Sequence, residues 1–113
     1  MDNYMDENTE EQAVLFRALA APTRLKLVKL LCRQRKPNAL CVNALACRLG
    51  ISQSAVSQHL RVLKALALVK GERRGYRVHY SINPETIKHF KMLVSSALTL
   101  EKEADKNNDR HEG

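Results

Sequence analysis

The sequence predicts a mainly α-helical domain that carries one small β-hairpin, with the element order α-α-α-α-β-β-α. Apolar residues recur at helical spacing in several segments, for example at Leu25, Val28 and Leu31. Residues alternate around Gly75 in the stretch LVKGERRGYRVHYSI, which is typical of two strands joined by a tight turn. The length of 113 residues is that of one domain, so we expect a single core.

Proline and glycine residues set the limits of the first three helices. We expect the first helix at residues 10–20. The second begins within APTRLKLVKLLCRQ, where Pro22 suits the first turn, and it cannot continue through Pro37. A short third helix covers residues 41–48, and Gly50 suits the left-handed position that ends many helices.

The second half of the chain contains the fourth helix, the hairpin and the last helix. Ser52 is a good N-cap, and the fourth helix runs from there to about residue 67. The hairpin follows, and the last helix begins at Pro84 and extends to about residue 103. Ile87, Phe90 and Val94 fall near one face of it. We expect a folded domain at residues 10–103, with polar, flexible tails at residues 1–9 and 104–113.

The formal net charge of +7 is unevenly distributed along the chain. The first twelve residues include five acidic residues and no basic one. From Ser52 to Ser81 there are six Arg or Lys residues and one acid, Glu72. A basic block of this kind is expected of a nucleic-acid-binding surface. A solvated basic face would have the same composition.

The predicted fourth helix has two chemically different faces. At roughly 100° per residue, Ser54, Gln58 and Arg61 lie together, and Val56 and Leu60 lie opposite. The apolar face suits the core, whereas Ser, Gln and Arg are suited to base edges and phosphates. An ordinary exposed helix usually carries Glu–Lys pairs, but this helix has no acidic residue. Two helices joined by a glycine turn and followed by a hairpin predict a winged helix-turn-helix that binds double-stranded DNA.

The tip of the predicted hairpin, the wing, is rich in arginine. Such a tip can reach the DNA backbone or an adjacent minor groove. Tyr76 and Tyr80 lie at alternating positions and suit packing and DNA contact equally. The predicted DNA-binding residues are Ser52, Gln53, Ser54, Ser57, Gln58, His59, Arg61, Lys64, Arg73, Arg74 and Arg77.

Three stretches of the chain resemble the ArsR/SmtB family of bacterial and archaeal transcriptional repressors. They are LFRALAAPTRLKLVKLL, LACRLGISQSAVSQHLRVLKALALV and RRGYRVHYSI, and together they cover roughly residues 13–83 in the family's order. The resemblance implies a homodimer whose interface is formed by the first and last helices. It further implies binding to an imperfect inverted repeat and release on sensing a metal ion, metalloid or reactive species. A two-fold dimer places its recognition helices roughly 34 Å apart, about one turn of DNA.

The chain departs from two metal sites of that family. One has the form ELCVCDL before the recognition helix, where this chain reads ALCVNAL. Cys41 matches the first thiolate, but Asn43 and Ala44 replace the second cysteine and the acid. The other site uses Asp and His pairs on the last helix, where only His89 is present. A single thiolate is a poor site for soft metals, so we predict no metal site and no cofactor, and the inducer stays open.

The remaining candidates for a sensor are the thiols of Cys32, Cys41 and Cys47. Their odd number and spacing do not indicate a disulfide framework. Three interpretations stay open. The thiols are structural or incidental, with Cys32 continuing an apolar stripe; they form a redox or persulfide switch; or they bind a metal or metalloid with another geometry.

Other classes of protein fit the sequence less well. We expect no enzyme, because neither a Ser/His/Asp set, nor a phosphate-binding glycine loop, nor paired catalytic carboxylates are visible. No apolar run reaches the roughly 18 residues of a membrane span, and the acidic start does not resemble a signal peptide, so we expect a cytoplasmic protein. The alternative function is a constitutive architectural DNA-binding protein with the same fold and no inducer.

Overall fold

The structure, a computed structural model, describes residues 8–34 and 40–101. The predicted helix break at Pro37 and most of the two predicted tails lie outside these residues. The helices are α1 Thr9–Leu19, α2 Pro22–Arg33, α3 Val42–Leu49, α4 Gln53–Ala65 and α5 Pro84–Ala97. The strands are β1 Leu40–Cys41, β2 Val69–Arg74 and β3 Arg77–Ile82. Within the described ranges, no helix combines the length and apolarity needed to cross a membrane.

The hairpin belongs to a three-stranded antiparallel sheet with the order β1-β3-β2. β2 and β3 pair in the predicted way, with Arg74 opposite Arg77 across the turn. β1 was not predicted, because two residues are too short to show an alternating pattern. It pairs Leu40 with Tyr80 and Cys41 with His79, and so ties the start of α3 to the wing.

The turn between α3 and α4 has the predicted chemistry. Gly50 has a φ of 67° and ends α3 in the left-handed region, where glycine has no steric penalty. The side chain of Ser52 then caps α4, because its Oγ accepts a hydrogen bond of 3.1 Å from the backbone amide of Ala55. These caps fix the relation of α3 to α4, and with β2 and β3 the two helices form the predicted winged helix-turn-helix.

The C-terminus of α4 differs from the prediction. The helix ends at Ala65, two residues early, because Ala67 adopts a φ of 59°. The backbone amide of Ala67 donates to the carbonyl of Lys64, and that of Leu68 donates to the carbonyl of Leu63. This is the hydrogen-bonding pattern of a Schellman motif, with alanine where glycine is usual. Leu63 and Leu68 are both fully buried, and their burial holds the strained residue in place.

Ala67→Gly should stabilise the domain, because glycine has no Cβ to strain at this φ. The gain should be roughly 0.5–1 kcal/mol, after subtraction of the greater freedom of glycine in the unfolded chain. Urea unfolding followed by circular dichroism measures it. The matched control Ala65→Gly lies inside the last turn and should instead destabilise by about 1 kcal/mol. A loss of stability in both variants would contradict the strain at Ala67.

The core lies between the helices and the inner side of the wing. Its most completely buried side chains come from three helices and the turn after α4: Leu27, Leu45, Val56, Leu63 and Leu68. α2 contributes Leu27, Val28 and Leu31, whereas Leu25 is 41% exposed, so the predicted stripe on this helix is rotated by part of a turn. The remaining apolar surface of the described residues lies mainly on α1 and α5.

The last helix is shorter than predicted and packs through a different residue. α5 ends at Ala97, and the hydroxyl of Thr99 donates to the carbonyl of Ser95, in competition with main-chain bonding. The buried residue of α5 is Leu93 rather than a member of the predicted stripe, although Ile87 and Phe90 do pack against the core. The side-chain amide of Gln12 on α1 donates to the carbonyl of Leu93 at 3.0 Å. α1 and α5 therefore form a pair.

Candidate DNA-binding surface

α4 is held to the core by one face and presents the other to solvent. Val56, Leu60 and Leu63 are at most 2% exposed. The helix is preceded by its serine cap and has no acidic residue in its first turn. Because its inner face is fixed, the position of each outward side chain is fixed as well.

The predicted DNA-binding residues of α4 lie on the outward surface to different degrees. Six of the eight, counting the cap, are exposed, and Ser57 and His59 are half-buried. The exposed ones are Ser52, Gln53, Ser54, Gln58, Arg61 and Lys64. Gln58 and Arg61 thus have the access that a base or phosphate contact needs, and the role of each residue stays a prediction.

Three of these side chains also form hydrogen bonds within the protein. The hydroxyls of Ser52 and Ser54 lie 3.3 Å apart, at the cap of α4. The amide nitrogen of Gln53 donates to Oδ1 of Asn43 on α3 at 3.0 Å. Asn43 therefore links the two helices of the helix-turn-helix. From the sequence, Asn43 was recognised only as the replacement of a metal ligand, because nothing in a linear pattern pairs it with a residue ten positions later.

The wing brings its arginines to one tip. Arg73, Arg74 and Arg77 are exposed around a turn in which Gly75 has a φ of 68°. Arg74 forms an ion pair of 3.3 Å with Glu72, the one acid of the basic block. Tyr76 is 88% exposed at the tip, whereas Tyr80 is half-buried against the core. Of the two tyrosines, Tyr76 alone is therefore placed for contact with a partner.

Cys41 lies where α3 begins and touches the wing. Nη1 of Arg77 is 3.9 Å from the Cys41 sulfur. The backbone amide of Ala44 lowers the pKa of the Cys41 thiol, and Arg77 and the amide of Asn43 lower it further, against the opposing effect of burial. The thiol opens into a cavity of about 340 Å³ between α3, α4 and β3. It is thus a thiol of lowered pKa in contact with a residue predicted to bind DNA.

Arg77→Ala should slow the alkylation of Cys41 by iodoacetamide at neutral pH. Because the guanidinium lowers the pKa of the thiol, its removal raises that pKa, and the thiolate fraction below the pKa falls. Mass spectrometry of the Cys41 peptide should give a rate several-fold lower, with the pH profile displaced upward. Arg73→Ala removes a neighbouring arginine without a contact to Cys41 and should leave the rate unchanged. Equal rates in all three proteins would rule out the effect of Arg77.

The other two thiols have different surroundings. Cys32 is exposed at the end of α2, so the interpretation that it continues a buried stripe is wrong. It lies beside a cavity of about 490 Å³ that Lys88 and Lys91 also line. Cys47 is exposed on α3, and all three thiols are free. Within residues 8–34 and 40–101, His, Cys, Asp and Glu side chains form no group of three or more that could hold a metal ion.

The sequence and the fold can be compared with known proteins. A model of the family described as "Bacterial regulatory protein, arsR family" matches residues 21–70. The "Transcriptional repressor SmtB homolog" of Synechocystis sp. is 43% identical over 76 residues, which cover 67% of this chain and 54% of that protein. This chain therefore spans about half the length of that curated relative.

Solved structures match over nearly their whole length. The structure described as a "Possible transcriptional regulator for arsenical resistance" is 32% identical, with a TM-score of 0.66, over 82% of this chain and 93% of that one. The homodimeric winged helix-turn-helix DNA-binding domain of Mb0332 from Mycobacterium bovis is 28% identical, with a TM-score of 0.62, over 86% of this chain and 90% of that one. By its sequence and its winged helix-turn-helix fold, this chain belongs to the ArsR/SmtB family of transcriptional regulators.

Proposed function

We propose that this protein is a sequence-specific transcriptional repressor that binds an inverted-repeat operator as a homodimer and releases it on a chemical signal. The observation that carries the proposal is the outward face of α4. It presents Gln58 and Arg61 to solvent, has no acid beside them, and is fixed in place by a fully buried inner face. Glutamine and arginine are the side chains best suited to adenine and guanine edges in the major groove.

The wing supports the same assignment. Its exposed arginines extend the basic surface beyond α4, where they can contact phosphates or an adjacent minor groove. Contacts of this kind position a protein on DNA without selecting a sequence. In our proposal α4 therefore supplies the sequence preference, and the wing supplies most of the salt-dependent affinity.

Apolar side chains that the single chain leaves in solvent support the proposed homodimer. Phe16 on α1 is 42% exposed, and Met92 and Leu98, on α5 and at its C-cap, are 65% and 67% exposed. The ring of Phe16 also packs against that of Phe90, with centroids 6.1 Å apart, so α1 and α5 present one continuous surface. An exposed apolar surface of this kind is typical of a protein interface, and Mb0332 is a homodimer with this fold.

Competition between operator and random DNA tests the proposal. An inverted repeat selected from a random DNA pool serves as the operator, and fluorescence anisotropy measures binding at several salt concentrations. We expect a preference of about a thousandfold or more over random DNA at physiological salt. A preference near one, with a steep salt dependence, would support the architectural alternative instead.

Release by a chemical signal is tested on the same complex. In reduced buffer, divalent metals, arsenite, peroxide and persulfide are added in turn to the wild type and to a variant without cysteine. We expect Cys41 to be the thiol that responds, because its pKa is lowered and it contacts Arg77. If no reagent changes operator binding by the wild type, the thiols are not the sensor.

A further inference from the structure

A groove between α1, α2 and α4 combines an apolar floor with three arginines. Its volume is about 450 Å³. We call it the arginine groove and define it by Arg17, Arg24, Arg61, Val14, Val62 and Leu66. Val14 and Val62 are 41% and 37% exposed, so its floor is open to solvent. No acidic residue lines it among the described residues. It therefore suits a partner that carries both negative charge and apolar side chains.

The three arginines come from three different helices. Arg17 lies in the last turn of α1 and Arg61 lies on α4. Arg24 on α2 is oriented by a hydrogen bond from its Nε to the carbonyl of Ala18. Three positive charges around one groove make its potential positive, and this potential stabilises a bound anion.

The segment that precedes the described residues has the complementary chemistry. Residues 1–7 read MDNYMDE, with three acids, two methionines and a tyrosine, and no base. The segment joins α1 at Asn8, and Arg17 lies roughly 14 Å further along the helix axis. Seven extended residues reach up to about 25 Å, so the segment can fold back along α1 as far as Arg17. Because it is attached to the same chain, its effective concentration at the groove is high.

We infer that the arginine groove binds the chain's own acidic segment, residues 1–7, and that this contact competes with DNA for Arg61. The three acids of the segment complement the charge of the arginines, and its two methionines and tyrosine complement the apolar floor. Arg61 belongs both to the groove and to the predicted DNA-binding face. The segment therefore lowers the affinity of α4 for DNA until operator contacts displace it. The competition half of the inference rests on the proposed function, whereas the docking half does not.

Docking is tested without DNA. In a variant with Cys32→Ser, Cys41→Ser, Cys47→Ser and Asn3→Cys, a nitroxide is attached at position 3, and the broadening of backbone amide signals is measured by NMR. We expect strong broadening at Val62 and Leu66 and little at Val78 in the wing. Adding Arg17→Glu should reduce the broadening at Val62 and Leu66 by half or more. Uniformly weak broadening, or no response to Arg17→Glu, would overturn the inference.

The same spin label shows whether the segment in the groove comes from the same chain or from a second copy. In a mixture of spin-labelled chains without isotope and unlabelled chains with nitrogen-15, broadening arises only between copies. We expect none at the groove. Broadening there would assign the occupant to a second copy and overturn the contact within one chain.

The effect on DNA is tested by neutralising the segment. Asp2→Asn/Asp6→Asn/Glu7→Gln should bind the operator roughly three- to tenfold more tightly than its matched control. The control, Glu10→Gln/Glu85→Gln/Glu101→Gln, changes the net charge equally at exposed sites outside the groove. Equal affinities would refute the competition and leave the docking result standing. If neither protein binds DNA, the proposed function fails, and the docking is still decided by the broadening.

Discussion

Replacing Ser57 and Gln58 together by alanine should abolish the preference for operator over random DNA, while the fold and the oligomeric state stay intact. Gln58 is exposed and Ser57 half-buried on the outward side of α4, and neither side chain forms a hydrogen bond with another described residue. A lost base contact costs roughly 1–3 kcal/mol, and a two-fold dimer loses each contact twice. The specificity ratio should therefore fall by at least two orders of magnitude.

Lys64→Ala is a comparison variant that separates loss of affinity from loss of sequence preference. Lys64 is exposed on the same helix but carries a point charge suited to phosphate, so its loss should weaken binding to operator and random DNA alike. Anisotropy competition at two salt concentrations separates the two effects. If the Ser57/Gln58 variant keeps its preference for the operator, other residues read the sequence, and the role given to Ser57 and Gln58 is wrong.

Local chemistry explains why much of the fold was predictable from sequence. Pro22, Gly50, Ser52 and Pro84 act within one turn of their own position, and the structure places each at the helix terminus that its chemistry favours. The clean division of α4 into an apolar and a polar face has the same origin, because a helix maps spacing directly onto direction.

Features that depend on distant partners were not predictable. β1 exists because Leu40 and Cys41 meet Tyr80 and His79 some forty residues later. Leu93 is buried, and the predicted stripe on α5 is displaced, because the packing of α1 decides which face is covered. Ala67 takes a conformation that alanine disfavours, since the burial of Leu68 outweighs a local cost of roughly 1–2 kcal/mol.

The candidate site also contains a part that was predictable from the sequence and a part that was not. The exposed residues of α4 and of the wing tip were found from periodicity and charge, which are local properties. The contact between Arg77 and Cys41 and the bond between Gln53 and Asn43 were not, because each joins elements that only the fold brings together. The arginine groove likewise takes one arginine from each of three helices, and in the sequence these residues appear as unrelated single charges.

Met92→Asp combined with Leu98→Asp should convert the proposed dimer to a monomer and weaken operator binding by roughly two to four orders of magnitude. Both side chains are largely exposed in the single chain, so the substitutions should change its unfolding free energy little. Within an apolar interface, however, each copy would have to bury two unpaired carboxylates, which costs far more than the contact returns. Without the dimer, the second half-site contributes no avidity, and the affinity for the operator falls toward that of one protomer for one half-site.

Light scattering with size-exclusion chromatography gives the mass, and circular dichroism confirms that the variant is folded. Tyr76→Asp is the matched control for oligomeric state, since it places a carboxylate on the most exposed large apolar side chain of the described residues, at the wing tip and away from α1 and α5. It should remain a dimer. If the Met92/Leu98 variant also remains a dimer, the interface lies on another face. The arginine groove, with its exposed Val14 and Val62, is then the next surface to test. A dimer formed through that groove would place the two α4 helices at a different distance, and would therefore require a different spacing of half-sites on the operator.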